Sequence, residues 1–268
     1  MSRKPRLEFA CSTDTGMVRP QNEDAIAVSP VYDFAILADG MGGYNAGEVA
    51  SGMAVEVIRQ YLETALGRRR RLGLPLRRGS DMRSLIAEAT ERANDAVYAA
   101  AQSEAAYNGM GTTLVVAAFE KDRVMLAHIG DSRAYRLRAG RLDQLTRDHS
   151  VLQEQLDAGI MTPEDARLSV HRNLVTRALG VVPEVEADLV EYETMPGDVY
   201  LLCSDGLSDM LDDEDIAVIL AEEGCSLTAI GEALIAAANE AGGRDNVSVV
   251  LARVTGDRPK GLLAKLLP

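Results

Sequence analysis

Four aspartates stand where a carboxylate could do chemistry, at the ends of apolar runs or beside glycine turns. They are Asp39 in ILADGMGG, Asp131 in AHIGDSRAY, Asp205 in LLCSDGLSDM and Asp245 in GGRDNVSVV. The first three follow runs typical of buried strands, and the neighbouring glycines indicate turns. Carboxylates at the ends of buried strands are costly unless positive charge neutralises them. Because few basic residues lie beside them, the pattern predicts a pair of hard divalent cations and metal-assisted chemistry on phosphate.

The available ligands favour Mg²⁺ or Mn²⁺, which both bind oxygen, and the sequence does not choose between them. The chain has only three histidines and contains no HExxH motif or Cys/His cluster, which argues against a zinc hydrolase. Two metals about 3.5–4 Å apart could bridge one water and yield a hydroxide nucleophile without a nucleophilic side chain. The GxSxG elbow of a serine hydrolase and the Walker A loop of a nucleotide-binding enzyme are absent from the sequence.

The composition excludes several classes of protein. The chain has 268 residues and a formal net charge of −13, which argues against nucleic acid as a partner. Its three cysteines form no CxxC motif, as expected in a reducing compartment. We recognise no signal peptide and no apolar stretch long enough to cross a bilayer. The sequence therefore predicts a cytoplasmic protein without membrane partners. We expect a monomer, although the composition does not determine the oligomeric state.

Apolar periodicity predicts an α+β fold, with a central antiparallel β-sandwich flanked by helices on both faces. Adjacent strands within residues 112–145 are joined by short turns, which indicates an antiparallel meander rather than βαβ units. Helical patterns are clearest at residues 47–66, 81–105, 151–158 and 227–241. Predicted strands lie near residues 8–13, 24–28, 33–38, 112–120, 123–129, 133–138, 141–145, 187–193, 198–204 and 246–254.

Two further features near the first aspartate have both a chemical and an ordinary interpretation. The glycines after Asp39 would let the backbone approach a metal or phosphate closely, and Gly40 could offer its carbonyl as a ligand. Alternatively, these glycines form an ordinary turn at the end of a strand. Arg19 could hold a phosphate through both arms of its guanidinium group, or could form a surface ion pair with Asp24.

Six motifs in order resemble the metal-dependent serine/threonine protein phosphatases, the PPM or type 2C family, and specifically its bacterial branch. Each motif alone is weak, but together they extend from residue 12 to about residue 254. The motifs are Arg19 with Glu23-Asp24, Asp39-Gly40-Met41-Gly42-Gly43, Gly109-Met110-Gly111-Thr112-Thr113, Gly130-Asp131-Ser132-Arg133, Ser204-Asp205-Gly206 and Gly243-Arg244-Asp245-Asn246.

The resemblance implies a cleft at one end of the sandwich that holds two Mn²⁺ or Mg²⁺ ions tightly and a third more weakly. It also implies hydrolysis of phosphoserine and phosphothreonine in proteins by direct attack of the bridging hydroxide. Arg19 falls where the family binds phosphate, and Asn246 would steady Asp245. The same resemblance implies that Asp39, Asp205 and the Gly40 carbonyl hold the paired metals, and that Asp245 binds one of the two. Glu23 would contact the metals through water, and Asp24 would lie in or beside the ligand set. Asp131 would form the third metal position with Asp205 and Asp209.

One departure concerns the proton for the leaving alkoxide. Animal members carry a histidine directly after Asp-Gly, whereas this chain has Met41. The proton could come from a metal-bound water or from His149 or His171, although a lone loop histidine is more often structural.

The resemblance also divides the chain. It implies one phosphatase domain over residues 7–256, with a flap at about residues 148–180 that governs substrate choice, and a short tail over 257–268. Residues 68–78 carry six arginines and are interpreted either as a solvated loop or as a docking patch for an acidic or phosphorylated partner. Expected partners are phosphorylated Ser/Thr proteins, including a Ser/Thr kinase.

Two other functions fit the sequence less well. A pseudophosphatase that only reads phosphoproteins would be expected to lose acidic ligands, yet the full acidic set is present. A haloacid-dehalogenase-type enzyme would need Asp-x-Asp after the first strand, whereas Gly40-Met41 follows Asp39.

Overall fold

Two antiparallel sheets, stacked face to face, form the centre of the protein in a computed structural model that describes residues 6–43, 46–73, 80–162, 165 and 174–256. The first sheet has the order β1-β11-β10-β7-β8, and the second has the order β2-β3-β5-β6-β9, with β4 paired to β3. The strands are β1 (Arg6–Asp14), β2 (Asp24–Ser29), β3 (Phe34–Met41), β4 (Gly111–Thr112), β5 (Leu114–Glu120), β6 (Arg123–Ile129), β7 (Arg133–Arg138), β8 (Arg141–Gln144), β9 (Asp188–Glu193), β10 (Val199–Cys203) and β11 (Val247–Thr255).

Helices cover the outer face of each sheet, which confirms the expected α-β-β-α layering. The long helices α1 and α2 pack on the second sheet, and α4 to α6 pack on the first. A single 3-10 turn, Ala105–Tyr107, follows α2 among the described residues. The helices are α1 (Ala46–Arg71), α2 (Ser80–Ser103), α3 (Val151–Asp157), α4 (Asp205–Ser208), α5 (Asp213–Leu220) and α6 (Leu227–Glu240).

Strand β3 has both faces buried, which explains its uninterrupted apolar sequence. Phe34 and Ile36 face α1 and α2, whereas Ala35 and Leu37 face the opposite sheet, because successive side chains of a strand point to opposite sides. Five consecutive residues of β3, 34–38, are therefore buried, and the first polar side chain after them is Asp39, at the edge of the core.

The predicted meander over residues 112–145 is wrong in its pairing. Strands β5 and β6 form one hairpin in the second sheet, while β7 and β8 form another in the first. The connection between them crosses from one sheet to the other at Gly130, which has a φ of +102°. Glycine adopts such a φ without steric penalty, so the chain can turn sharply here. The crossing places Asp131 between the ends of the two sheets.

Several expectations differ in extent or fall outside the described residues. The strand predicted over 112–120 is split into β4 and β5, and the short helices α4 and α5 had not been predicted. The flap is described at residues 148–162, 165 and 174–180, and the tail at 257–268 lies outside the described residues. Of the arginine-rich segment, residues 68–73 are described. Within the described parts of the chain, every helix is too short or too polar to span a bilayer.

A buried ion pair fastens the turn before β10. The Asp198 carboxylate, 1% exposed, accepts hydrogen bonds from Arg138 Nε at 2.8 Å, Arg138 Nη2 at 2.7 Å and the Met195 amide at 2.7 Å. We expect Asp198→Ala to lower the free energy of unfolding by about 2 kcal/mol, because it leaves these donors without their acceptor. Urea denaturation measures the loss. The exposed control Asp213→Asn should change stability by less than about 0.5 kcal/mol, and an equal loss in both variants would contradict the argument.

Candidate metal centre

The first part of the site is the end of the β2–β3 hairpin. The register places Asp24 directly opposite Asp39. The Asp39 amide donates to Thr113 Oγ1 at 2.9 Å, and its carbonyl accepts from the Thr113 amide and from Thr112 Oγ1, both at 2.9 Å. Both backbone polar groups of Asp39 are thus held by the segment that begins β5, which fixes the direction of its side chain.

Two glycines bring this hairpin against the start of α1. A Cβ atom at Gly40 would lie 2.0 Å from the Gly47 carbonyl oxygen, so the close approach requires glycine. A Cβ atom at Gly47 would lie 2.7 Å from Glu23 Oε1, which places that carboxylate beside the first turn of α1. The Glu23 carbonyl accepts from the Gly40 amide at 3.1 Å and from Ser51 Oγ at 2.5 Å. Glu23 is thereby fixed at the rim of the cleft.

The other side of the cleft comes from the first sheet. Asp205 begins α4 directly after β10, and Asp245 lies two residues before β11. Ser204 Oγ joins the two sheets by donating to Asp24 Oδ2 at 2.8 Å. A Cβ atom at Gly206 would lie 2.0 Å from the Asn246 carbonyl oxygen, so the turn into α4 packs tightly against the strand beside it.

Asn246 supports the rim of the cleft. Its Oδ1 accepts from the Glu23 amide at 2.8 Å, and its Nδ2 donates to the carbonyls of Thr15 at 2.9 Å and Gln21 at 2.8 Å. Its backbone amide donates to Asp245 Oδ1 at 2.8 Å. The sequence predicted only support for Asp245. The backbone amide of Asn246 gives that support, and its side chain additionally fastens the loop that carries Glu23.

Burial and mutual repulsion raise the pKa values of the cleft carboxylates. Although part of the Asp39 side chain touches solvent, burial and then the charges of Asp24 and Asp205 raise its pKa well above the usual range. The pKa of Asp205 is raised in the same way, by burial and by Asp131 and Asp209. Burial also raises the pKa of Asp24 to about 6, although the hydroxyl of Ser204 opposes the shift. A cation between these groups would remove the repulsion.

The donor set fits a hard divalent cation shared with water. Asp24 Oδ1 is buried and has no hydrogen-bond partner, which is costly for a carboxylate oxygen. In the part of the chain that the structure describes, no three acidic, histidine or cysteine side chains lie close enough to enclose an ion by themselves. The carboxylates stand apart, as mutually repelling groups do. An ion here would complete its coordination with the Gly40 carbonyl and water, which are ordinary ligands for Mg²⁺ and Mn²⁺.

Arg19 lies at the mouth of the cleft with its side chain half exposed. Its Nη2 donates to Asp245 Oδ2 at 2.6 Å, so its ion pair is with Asp245 rather than with Asp24. The guanidinium therefore lies next to an expected metal ligand, within reach of an anion that enters the cleft. A cation bound to Asp245 would compete with this ion pair and free the arginine for such an anion.

Asp131 and Asp209 lie on the other flank of Asp205. Burial and then the charge of Asp148 raise the pKa of Asp131 to about 6, and Asp209 adds to the shift. The Asp209 amide donates to the Asp205 carbonyl at 2.7 Å, across the single turn of α4. The resemblance assigns these three carboxylates to a third ion; Asp131 and Asp209 are close enough to raise the pKa of Asp205, but the three do not enclose an ion by themselves.

His149 has a structural environment rather than that of a proton donor. Its Nδ1 accepts from the Gly130 amide at 3.2 Å, which leaves Nε2 to donate to Asp188 Oδ2 at 3.2 Å. Burial lowers its pKa, so the ring is neutral near pH 7. Its backbone also bonds Gly130 and Thr176, which ties the flap to the sheet. His171, the other candidate acid, lies outside the described residues.

Hydroxyl groups that were not predicted from the sequence support the aspartates. Thr113 Oγ1 lies 2.7 Å from Ser132 Oγ, which links the hairpin of Asp39 to the turn of Asp131. Ser204 does the same between Asp24 and β11, because its Oγ also accepts from the Ser248 amide at 2.9 Å. Thr113, Ser132 and Ser204 lay within recognised motifs. Their position beside glycine and aspartate was a signal, but the bonds they form are long-range.

Comparison with known proteins agrees with this geometry. The family model described as protein phosphatase 2C matches residues 19–251. The chain belongs to the protein phosphatase 2C family. It is 39% identical over 251 residues to the serine/threonine protein phosphatase PstP of Mycobacterium tuberculosis, covering 92% of this chain and 45% of PstP.

A second relative matches over most of both chains. The serine/threonine phosphatase Stp of Listeria welshimeri is 38% identical over 243 residues, which covers 89% of this chain and 92% of Stp. A crystal structure of the PstP catalytic domain in complex with two manganese ions superposes with a TM-score of 0.81 at 38% identity, covering 93% of this chain and 99% of the other. The α+β sandwich and the family resemblance are thus confirmed.

Removing one charge from the cleft should stabilise the protein when metals are chelated. Because folding raises the pKa of Asp39, ionisation of this carboxyl group lowers the free energy of unfolding. This loss of stability is absent below the pKa of the unfolded state, about 4, and grows as the pH rises above it. We expect Asp39→Asn to gain about 1–2 kcal/mol at pH 7.5 in EDTA, and little at pH 4. Urea denaturation at the two pH values measures this, with exposed Asp215→Asn as control. A loss of stability at pH 7.5 would contradict the repulsion argument.

Proposed function

We propose that the protein is a metal-dependent phosphatase that hydrolyses phosphoserine and phosphothreonine in other proteins. The observation that carries the proposal is the set of partly buried carboxylates drawn from the ends of both sheets around Asp39 and Asp205. Membership of the protein phosphatase 2C family and similarity to proteins named serine/threonine phosphatases support the same activity.

The proposed cofactors are two Mn²⁺ or Mg²⁺ ions and a weaker third. Asp39, Asp205, Asp245 and the Gly40 carbonyl are the proposed ligands of the pair, with Glu23 and Asp24 beside them. Asp131, Asp205 and Asp209 are proposed for the third ion. Ions bound here would lower the pKa of a water molecule so that it can act as the nucleophile, and their positive charge would stabilise the phosphate oxygens. The structure of the PstP catalytic domain in complex with two manganese ions supports the pair of metal ions.

The chain's own residues position the reaction. Arg19, half exposed beside Asp245, binds two phosphate oxygens through its planar guanidinium group and orients the phosphorus atom toward the carboxylates. Asp24 and Asp39 are kept in place by Ser204 and Thr113, so the geometry is set before substrate arrives. The flap is anchored beside Asp131 through the hydrogen bonds between His149 and Gly130.

The proposal extends to the setting of the enzyme. One domain over residues 7–256 carries the activity, followed by a tail at 257–268. The protein works as a monomer in the cytoplasm, where it reverses phosphorylation by a Ser/Thr kinase. Its acidic charge of −13 fits protein substrates rather than nucleic acid.

Activity should depend on metal and on the two central aspartates. We expect Asp39→Asn and Asp205→Asn to lower phosphate release from a phosphothreonine peptide by at least about a thousandfold, because each removes charge from the groups that stabilise the transition state. EDTA should abolish wild-type activity. Mn²⁺ should raise the melting temperature of the wild type but not of Asp39→Asn, since only a bound ion stabilises the native state. Exposed Asp213→Asn serves as the control. Activity that survives both EDTA and Asp39→Asn would refute the mechanism.

Arg19 should act on phosphate affinity. We expect Arg19→Ala to raise KM for the phosphopeptide, and the inhibition constant for inorganic phosphate, by about tenfold. Arg19→Lys should recover only part of the loss, because an ammonium group lacks the planar pair of donors. Steady-state kinetics with phosphate as inhibitor measures both constants. An unchanged inhibition constant in Arg19→Ala would show that the arginine serves only its ion pair with Asp245.

A further inference from the structure

A second concave site lies away from the metal centre, between α2 and the segment leading into β9. The groove has a volume of about 970 Å³ and runs along α2 from Ser84 to Asp95, with residues 183–189 as its other wall. Twelve helical residues span about 16 Å, at about 1.5 Å per residue. An extended peptide of about five residues covers the same length, at about 3.3 Å per residue.

The lining of the groove is acidic. Five of its described lining residues are carboxylates, and none is lysine or arginine. Glu88 is engaged by Arg92 at 2.9 Å, but the other four make no ion pair within the described part of the chain. These four are Glu91, Asp95, Glu184 and Glu186, two on each wall. Carboxylates spread along two facing walls suit several separate basic side chains.

A buried hydroxyl group points to a ligand independently of the charge. Thr90 lines the groove and is 2% exposed, yet its Oγ1 has no hydrogen-bond partner. Such groups are rare in native proteins because they lose their bonds to water without replacement. Neighbouring Asn94 is satisfied, since its Nδ2 donates to the carbonyls of Val182 and Pro183 at 3.1 and 3.0 Å. The wall of the groove is therefore held by internal hydrogen bonds, and the hydroxyl group of Thr90 is left to bond a ligand.

The groove is joined to the metal centre through the end of the flap. Asn94 Oδ1 accepts from the Gly180 amide at 2.8 Å. The preceding residue, Leu179, exchanges backbone hydrogen bonds with Thr112 at 2.8 and 3.1 Å. Thr112 Oγ1 in turn holds the Asp39 carbonyl. Between the two sites the surface carries the exposed side chains of Val181 and Val182. A substrate chain bound in the cleft could thus extend across the exposed side chains of Val181 and Val182 into the groove.

We propose that this groove docks a basic segment of the phosphoprotein substrate, with arginine or lysine side chains on its four unpaired carboxylates and a polar group on Thr90 Oγ1. The proposal rests on the proposed phosphatase function and narrows its substrates to phosphoproteins with basic residues near the phosphorylated residue. The groove contributes affinity and leaves the chemical step to the cleft.

Binding is tested first, without catalysis, on the full chain. The probe is a fluorescent, unphosphorylated peptide with arginine at alternate positions, compared with a peptide in which glutamine replaces each arginine. Fluorescence anisotropy should show tighter binding of the arginine peptide, weakened by salt. The variant Glu91→Gln/Asp95→Asn/Glu184→Gln/Glu186→Gln should bind it about tenfold more weakly, equivalent to about 1.4 kcal/mol. Thr90→Val should also weaken binding.

Kinetics then separates docking from chemistry. The fourfold variant should raise KM for an arginine-flanked phosphothreonine peptide about tenfold, with kcat unchanged and hydrolysis of p-nitrophenyl phosphate unchanged. The control removes the same number of exposed acids from the opposite helical layer, as Glu222→Gln/Glu223→Gln/Glu232→Gln/Glu240→Gln, and should behave as wild type.

The outcomes distinguish the two proposals. Equal binding of the arginine peptide by wild type and the fourfold variant, or equal binding of the arginine and glutamine peptides, would overturn the groove while phosphatase activity stands. Binding that is lost in the fourfold variant, in a protein that hydrolyses neither substrate, would support the groove and refute the proposed function.

Discussion

Mutual repulsion among carboxylates at the ends of two stacked sheets is the constraint on which the rest of this structure depends. Asp24 and Asp39 come from one sheet, and Asp205 and Asp245 adjoin strands of the other. Each charge raises the pKa of Asp39, which shows that folding brings them together against an electrostatic penalty. The sandwich must therefore be stable enough elsewhere to hold them, and its three apolar layers provide that stability.

Neutral hydrogen-bonding groups hold the acids apart in fixed directions. Thr113 holds the backbone of Asp39, Ser204 holds the carboxylate of Asp24, and Asn246 fastens the loop of Glu23. A hydroxyl or amide can do this without adding charge, which leaves the carboxylates able to neutralise a cation. The arrangement explains why few basic residues lie within the cleft, with Arg19 at its mouth rather than at its centre. The resulting repulsion is a cost in stability that a bound divalent cation would remove.

The flap is attached to the body of the protein at both of its described ends. At the first end His149 bonds Gly130 through its ring and its backbone, and at the other Leu179 pairs with Thr112. Both attachments lead directly to expected metal ligands, Asp131 and Asp39. The second attachment also continues through Gly180 and Asn94 to the acidic groove. The flap and the groove are therefore connected to the cleft through a few hydrogen bonds.

The sequence by itself determined the chemistry and most of the strands. Residues 123–129 form a strand at the predicted bounds, because burial on both faces leaves a local apolar run. The aspartates and glycines predicted an oxygen-ligated site for the same reason, since residue type and turn geometry are local. Only the tertiary structure decided that β6 and β7 belong to different sheets, that Arg19 pairs with Asp245, and that the ring of His149 is engaged on both sides. Each of these depends on which distant segments meet, and pairing between residues up to 226 positions apart leaves no periodic signal in the chain.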